Sequence, residues 1–383
     1  MTAASKRILF TYSLVGRGGD AVQTQAMINS LELCGCTVVA SGPGALSPYA
    51  YQGVAAASRG IGRRLPWWAR DVVEMGFNFL SLFKALPVVW RFRPDLLFDR
   101  VAPFGFTGLA LSVLTGVPLV AHVDAPFEVE RSYRGQSIAS GLNQWILKCV
   151  AHRARVVLVG SEIAREHHIA NGLPANKVMV FHNGVFGSEL QHDASEKATD
   201  DGVPVVIGFV GSMAKWHRVD YLIEAFARVC QSGRVTQPLE LRLVGMGEEY
   251  DRTQELVRDL RLSDCVKFLG PLPHAQTLQQ VDGFDIAVLP NTLTTGSPMK
   301  LFEYAARCAA IVAPDLPNLR QIFSSDEVCF FPQHDVDALA STLLKLIQDP
   351  GARKSLAQRA RDRVARQYTW EKQMARVLDH PNG

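Results

Sequence analysis

The sequence predicts an α/β chain of two doubly wound parallel-sheet units. Three observations carry that expectation. Short apolar runs alternate with helical patterns through the first half. A polar stretch from about residue 191 to 202, containing Asp193, Ser195, Glu196, Lys197, Asp200 and Asp201, interrupts them, and the alternation then restarts. Strands covered by helices on both faces read as short continuous apolar runs, which is why such runs predict a parallel sheet. A chain of 383 residues, 48% hydrophobic and 20% charged, is ordinary globular material with room for two or three domains.

In chain order, the first unit is expected to place strands at 8–12, 37–41, 96–99, 118–122 and 156–159, with a helix over about 21–34. Residues 75–90 are apolar but broken by Asn78, Ser81, Lys84 and Pro87, too interrupted for a membrane span. Val72, Met75, Phe79, Leu82, Phe83 and Leu86 fall at helical spacing and predict one apolar stripe packed on a core. Just ahead lie Arg59, Arg63, Arg64, Trp67, Trp68 and Arg70, a mixture of cations and interfacial aromatics suited to anionic headgroups. The 59–90 region is therefore also a candidate for peripheral membrane contact. After the polar linker, strands are expected at 205–210, 239–244, 266–269, 286–290 and 310–313. Helices are expected at 219–230, at 250–260, after Pro298 and through a long C-terminal region. Open parallel sheets bind ligands beyond their strand carboxyl ends, so a crevice between the two units is the expected site.

The totals exclude several classes. A net charge of +3, a pI near 8.5 and the absence of any long one-sign block give no reason to expect nucleic-acid binding. The seven cysteines are odd in number, scattered and without a CxxC pair, the pattern of buried thiols in a reducing cytoplasm. The apolar run near the N-terminus is too short for a signal peptide, which points the same way. There is no HExxH, no clustered His/Cys spacing and no convincing Asp-x-Asp metal box, so neither a metal nor another cofactor is expected.

The most informative run is Gly296-Ser297-Pro298-Met299-Lys300-Leu301-Phe302-Glu303. Gly296 permits close backbone approach, Ser297 is a good N-cap and Pro298 suits the first helical position. The free N–H groups and dipole of the helix that starts here favour a diphosphate. Glu303 lies about 7–8 Å further along the axis, the step from a diphosphate to ribose hydroxyls.

The ordered series resembles the GT-B fold, specifically the family 4 group of retaining glycosyltransferases (glycosyl transferases group 1). Residues 206–212 followed by 219–226, then Leu243-Val244-Gly245-Met246-Gly247, residues 266–272 and residues 285–290 stand in that family's order. Asp337-Ala338-Leu339-Ala340, Asp349-Pro350 and Trp370 follow. In the first half, Gly16-Arg17-Gly18-Gly19-Asp20 resembles the family's glycine-rich loop. Residues 159–162, 177–180 and Asn183-Gly184-Val185 resemble the end of its acceptor domain. The resemblance implies two Rossmann-like domains facing across a cleft. An acceptor-side domain would cover 1–192, a donor domain 203–364, and a C-terminal helix over 365–383 would pack back on the first.

The implied reaction moves a sugar from a nucleotide diphosphate donor to an acceptor hydroxyl of a glycan, glycolipid or small molecule, with retention and without a metal. The implied donor-binding positions are Gly18, Gly19, Gly211, Ser212, Gly245, Phe268, Leu269, Gly270, Gly296, Ser297, Pro298, Met299, Lys300, Leu301 and Glu303. Glu303 would hold the ribose and the backbone near Phe268 would meet the base. The chain departs from the family pattern at Thr295, where the family places the first of two glutamates. Ser212 and His217 stand where two phosphate cations are expected, so Lys215, Arg218 and Lys300 are the replacements to test. His217 itself could serve as a neutral hydrogen-bond donor or a partial cation. In the first half, His122 and Asp124 at a strand end are candidates to orient the sugar or acceptor. Asp99-Arg100 either lines the same cleft or forms an internal ion pair. A GT-B nucleotide-sugar epimerase and a non-catalytic nucleotide-sugar-binding relative stay open as other readings.

Overall fold

The computed structural model describes residues 5–13, 19–43, 66–133, 138–191 and 202–381. Its contacts divide the chain into two compact units. The first is Met1–His182 with Thr295–Ser297 and Trp370–Gly383, and the second is Asn183–Thr294 with Pro298–Thr369.

The first unit is built on a six-stranded parallel sheet in the order β2-β1-β3-β4-β5-β6. Its strands are β1 (Arg7–Tyr12), β2 (Thr37–Ser41), β3 (Leu96–Arg100), β4 (Leu119–Val123), β5 (Val156–Val159) and β6 (Val178–Val180). Helices α1 (Gly19–Leu33), α2 (Trp67–Phe92), α3 (Thr107–Thr115), α4 (Phe127–Tyr133), α5 (Ser140–Arg153) and α6 (Glu162–Ala170) connect them. The strand order reverses between β1 and β3, so right-handed crossovers put α1 on one face and α2, α3, α5 and α6 on the other. The core agrees: Ala85 and Val89 of α2, Leu111 of α3 and Ile146 and Val150 of α5 pack with Leu9, Leu97, Leu119 and Ala121 of the sheet.

The expected apolar stripe of α2 is corrected by the structure. Met75, Leu82 and Leu86 lie against the core, but Val72, Phe79 and Phe83 are exposed. The inward positions go instead to Asp71, Asn78, Ser81, Ala85 and Val89. Polar partners inside the unit explain the reversal. Arg131 of α4 donates to Asp71 at 2.8 Å and also pairs with Glu74, and the Asn78 carbonyl accepts from the Thr107 hydroxyl at 3.1 Å. A buried guanidinium requires its carboxylates, and that requirement outranks the burial of three apolar side chains that can remain in contact with solvent. The cations ahead of Pro66 lie outside the described residues, as does the Trp67 side chain.

The second unit repeats the architecture in the order β12-β11-β10-β7-β8-β9. Strands β7 (Val205–Val210), β8 (Leu239–Val244), β9 (Val266–Gly270), β10 (Ile286–Val288), β11 (Ala310–Pro314) and β12 (Cys329–Phe331) are all parallel. Helices α7 (Val219–Gln231), α8 (Tyr250–Asp259), α9 (His274–Asp282), α10 (Met299–Ala306), α11 (Pro317–Ile322), α12 (Val336–Gln348) and α13 (Pro350–Gln367) cover it. Asp335 and Asp349 cap α12 and α13 by accepting from Ala338 and Ala352 N–H at 2.8 Å each, and Pro350 opens α13 where no donor is lost. Residues just after His182 pack here, since Val185 bridges to Thr369 and Arg361 donates to the Leu190 carbonyl.

The last helix, α14 (Trp370–Leu378), belongs to the first unit and packs on α1. Trp370 is buried with its ring 6.0 Å from that of Phe181, and the Cys34 thiol donates to the Glu371 carbonyl at 3.7 Å. All seven cysteines are free, but none is fully buried and Cys230 is exposed, against the expectation of buried thiols.

Candidate functional site

In the second unit the strand order reverses between β7 and β10, and the predicted donor residues Gly211, Ser212, Gly245, Phe268, Leu269 and Gly270 stand at the carboxyl ends of β7, β8 and β9. The chain turns at Gly211 after β7, at Gly245 after β8 and at Gly270, the last residue of β9. Gly211 N–H donates to Val244 O at 3.0 Å and Gly245 N–H to Gly270 O at 2.8 Å. Gly211 and Gly245 have φ of 140° and 127°. A Cβ on Gly245 would fall 2.0 Å from the Gly211 carbonyl oxygen, so only glycine lets these two turns meet.

The run after β10 starts α10 one residue later than the sequence suggests. Pro298 occupies the N-cap position, with φ −66° and ψ 113°, and no side chain caps the helix, so Ser297 is not the cap. Ser297 is instead buried. Thr295 is also buried; its carbonyl accepts from the Ser161 hydroxyl at 2.8 Å, while its own hydroxyl has no hydrogen-bond partner. Leu301 is a second correction. Its side chain is wholly buried and its N–H donates to Pro298 O at 3.2 Å, which leaves nothing for a ligand. The N–H groups of Met299 and Lys300 belong to the first turn, which has no intrahelical acceptors for them. An added Cβ at Gly296 would meet no atom within 4 Å, so the protein's own packing does not demand glycine there.

Lys300 is not a surface lysine. Its Nζ is buried without a hydrogen-bond partner and lies 4.7 Å from the centroid of the Phe209 ring. A Cβ at Gly211 would come within 2.4 Å of that nitrogen, so the amine is held against the loop after β7. Burial lowers its pKa to about 7, with the Glu303 carboxylate working in the other direction. Glu303 sits one turn on, buried, and its Oε1 is 2.8 Å from Nε2 of His274 at the start of α9. Burial works against charge on His274, but the hydrogen bond and charge of Glu303 prevail and hold its pKa above the ordinary value. His274 was not among the sequence candidates. A helix-start histidine after Pro273 has no local signature, and only the tertiary approach of α9 to α10 marks it.

The loop after β7 carries the other phosphate candidates. His217 Nδ1 lies 2.5 Å from the Ser212 carbonyl, and burial lowers the ring's pKa to about 3. A neutral ring that donates from Nδ1 to that carbonyl keeps Nε2 as an acceptor, so His217 supports the loop and is not a partial cation. Arg218, in a left-handed conformation with φ 49°, is held by Asp220 at 2.7 Å and lies over the Tyr221 ring at 3.4 Å. Lys215 is exposed on the short turn Lys215–His217. Among the cations put forward, the buried and unpartnered one is therefore Lys300. Phe268 and Leu269 on β9 are half-buried, and the Phe268 ring meets Tyr250 edge-on at 5.5 Å.

In the first unit, Asp99 and Arg100 do not pair. Successive strand residues point to opposite faces, and here Asp99 accepts from the Thr11 hydroxyl at 2.6 Å and from Gly108 N–H at 3.1 Å. Burial raises its pKa to about 6. Arg100 turns to α1, where it donates to the Asp20 carbonyl and to Gln23 Oε1, each at 2.5 Å, and also to Thr24. His122 lies beside Arg100 in the β3–β4 register. It is buried, with neither ring nitrogen hydrogen-bonded and its ring edge-on to Phe181 at 6.0 Å. Burial, followed by the Arg100 charge, keeps it neutral. Burial also raises the pKa of Asp124, against the Arg100 charge and a Gln23 hydrogen bond. His122 and Asp124 thus share one electrostatic neighbourhood with Arg100. Gly19 opens α1, and Gly18 lies outside the described residues.

Comparisons with known proteins agree with this layout. The model for glycosyl transferases group 1 matches residues 191–363, and that for the glycosyl transferase 4-like domain matches residues 18–184. The chain is 28% identical over 141 residues to a phosphatidyl-myo-inositol mannosyltransferase of Mycolicibacterium smegmatis, an alignment spanning 37% of this chain and 36% of that protein. It thus aligns with only about a third of that relative's length. Among solved structures, Anabaena Alr3699/HepE in complex with UDP superposes with a TM-score of 0.72 at 17% identity, covering 97% of this chain and 99% of that one. Sucrose-phosphate synthase from Thermosynechococcus elongatus gives 0.72 at 16% identity, covering 97% of each chain. Both likenesses are likenesses of fold.

Proposed function

We infer that this chain, a GT-B protein carrying the group 1 and 4-like glycosyl transferase domains, moves a sugar from a nucleoside diphosphate donor to an acceptor hydroxyl and retains the anomeric configuration. The observation that carries the reading is the arrangement on α10. A buried, unpartnered lysine amine lies against the loop after β7, beside a helix start with free N–H groups and one turn before a buried glutamate. In this reading the Met299 and Lys300 N–H groups and the Lys300 ammonium take the diphosphate, and Glu303 accepts from the ribose hydroxyls. Negative charge gathers on the diphosphate as the glycosidic bond breaks. Donors fixed at that point stabilise the transition state more than the ground state, and they do so without a metal.

HepE has been solved with UDP and with UDP-glucose, which supports a nucleotide sugar as the donor class. The Arg100–His122–Asp124 group of the first unit is assigned to orienting the sugar or acceptor. The acceptor is a glycan or glycolipid in polysaccharide assembly, on the cytoplasmic side of the membrane. Incubation with nucleotide sugars and an acceptor pool, with NMR assignment of the product anomer, tests the reading. Transfer with retention, lost in Glu303→Ala, supports it. Interconversion of the donor alone would identify an epimerase, and binding without turnover would identify a binding protein.

A further inference from the structure

The side of α2 that faces away from the core carries large apolar side chains. Phe83 and Trp90 are 67% and 71% exposed, with Val72 and Phe79 also open to solvent. Helices α3 and α5 lie on the same face of the sheet as α2 and extend the surface with Leu114 and Trp145. The three helices pack side by side, α2 on α3 and α3 on α5, and large apolar side chains left open on neighbouring helices are the mark of an interaction surface. Re-packing α2 cannot hide it, because its inner side is tied down by Asp71, Asn78, Ala85 and Val89.

The charges around the layer indicate its partner. The acids of α2 are Asp71 and Glu74, both paired with Arg131, and neither α3 nor α5 contains any. Lys84 and Arg91, seven residues apart along one edge of the exposed strip, and Arg93 just beyond the helix are exposed; the Lys84 ammonium donates one hydrogen bond to the Pro43 carbonyl at 2.9 Å, which leaves two of its three donors for a lipid phosphate. An apolar strip with a tryptophan near each end, edged by cations and free of unpaired acids, complements an anionic bilayer surface. It complements a second copy of itself poorly, because a two-fold contact would bring the same cationic edge from both subunits together. Spanning the bilayer would strip Asp71, Asn78 and Ser81 from their surroundings in the unit.

We propose that the outer layer formed by α2, α3 and α5 docks this chain peripherally on anionic lipid bilayers, with Phe83, Trp90 and Trp145 inserted at headgroup depth and Lys84 and Arg91 against the lipid phosphates. The proposal does not depend on the donor assignment.

Co-sedimentation of the full chain with vesicles of phosphatidylcholine, alone or mixed with phosphatidylglycerol, tests it. The expected result is partition onto the mixed vesicles, weakened by salt and by omission of the anionic lipid. The doubly substituted Phe83→Asp/Trp90→Asp protein should lose about tenfold or more in partition, and Lys84→Glu/Arg91→Glu should lose a comparable amount. Thermal unfolding and nucleotide-sugar calorimetry on the same variants should be unchanged, which separates failure of docking from failure of folding or of donor binding. Four results would overturn the proposal: no partition of the parent onto mixed vesicles, equal partition of the variants, retention through an alkaline carbonate wash, or a solution dimer split by the Phe83 and Trp90 substitutions in a chain that ignores vesicles.

Discussion

At the scale of single residues, Lys300 and Glu303 share one helix but are governed by different physics. Lys300 is buried without a counter-ion in hydrogen-bond contact, so its pKa falls to about 7 and the cation is present below that pH and lost above it. Affinity for a nucleoside diphosphate is therefore expected to weaken as pH rises through about 7, approaching tenfold per pH unit where one proton must be taken up on binding. Calorimetry across that range checks this, and Lys300→Met should flatten the profile while weakening binding on the acid side. Glu303 and His274 are 2.8 Å apart and should behave as a coupled pair. Glu303→Ala is expected to cost about 2–4 kcal/mol of donor affinity and His274→Ala about 1 kcal/mol, with a coupling energy above about 0.5 kcal/mol in the double-mutant cycle. Additive losses would show that His274 plays no part in holding the carboxylate.

At the scale of elements, α2 is the place where periodicity and burial part company. Large apolar side chains at helical spacing predict an inward stripe, yet three of the six expected positions face solvent. Stability measurements discriminate between the two arrangements. Arg131→Met should destabilise by about 3–5 kcal/mol, since it leaves Asp71 buried and unpaired, while Phe83→Gln should stay within about 0.5 kcal/mol of the parent. Urea unfolding of the two variants decides the matter. The opposite ranking would mean that Phe83 packs in the core. Helix α10 gives a smaller instance of the same lesson. Ser-Pro predicted a serine cap, but Ser297 is drawn into buried surroundings and the helix begins uncapped at Met299.

At the scale of the whole molecule, two parallel sheets with separate cores form two units, and the chain returns to the first at its end. Trp370→Ala should destabilise the first unit by about 3–5 kcal/mol, because it empties a fully buried indole site beside Phe181. A saturating nucleoside diphosphate at about a hundred times its Kd should raise the stability of the second unit by about 2.7 kcal/mol. Calorimetric scans of parent and variant, with and without nucleotide, should resolve the two effects. The sequence by itself determined the strand alternation, because strands covered on both faces must be continuously apolar. Val156–Val159, Val205–Val210 and Leu239–Val244 stand where such runs predicted them. Short β6 and β12 carried too few residues to register. The sequence also marked the Gly296-to-Glu303 run, since helix-start chemistry is local. Only the tertiary structure decided that Lys300 points into the protein beneath Gly211, that His274 meets Glu303, that Asp99 and Arg100 face opposite ways, and that Val72, Phe79 and Phe83 of α2 face outward. Each of these depends on a partner distant in the chain, and the preference of a buried charge or polar group for that partner is invisible to a local pattern of hydrophobicity.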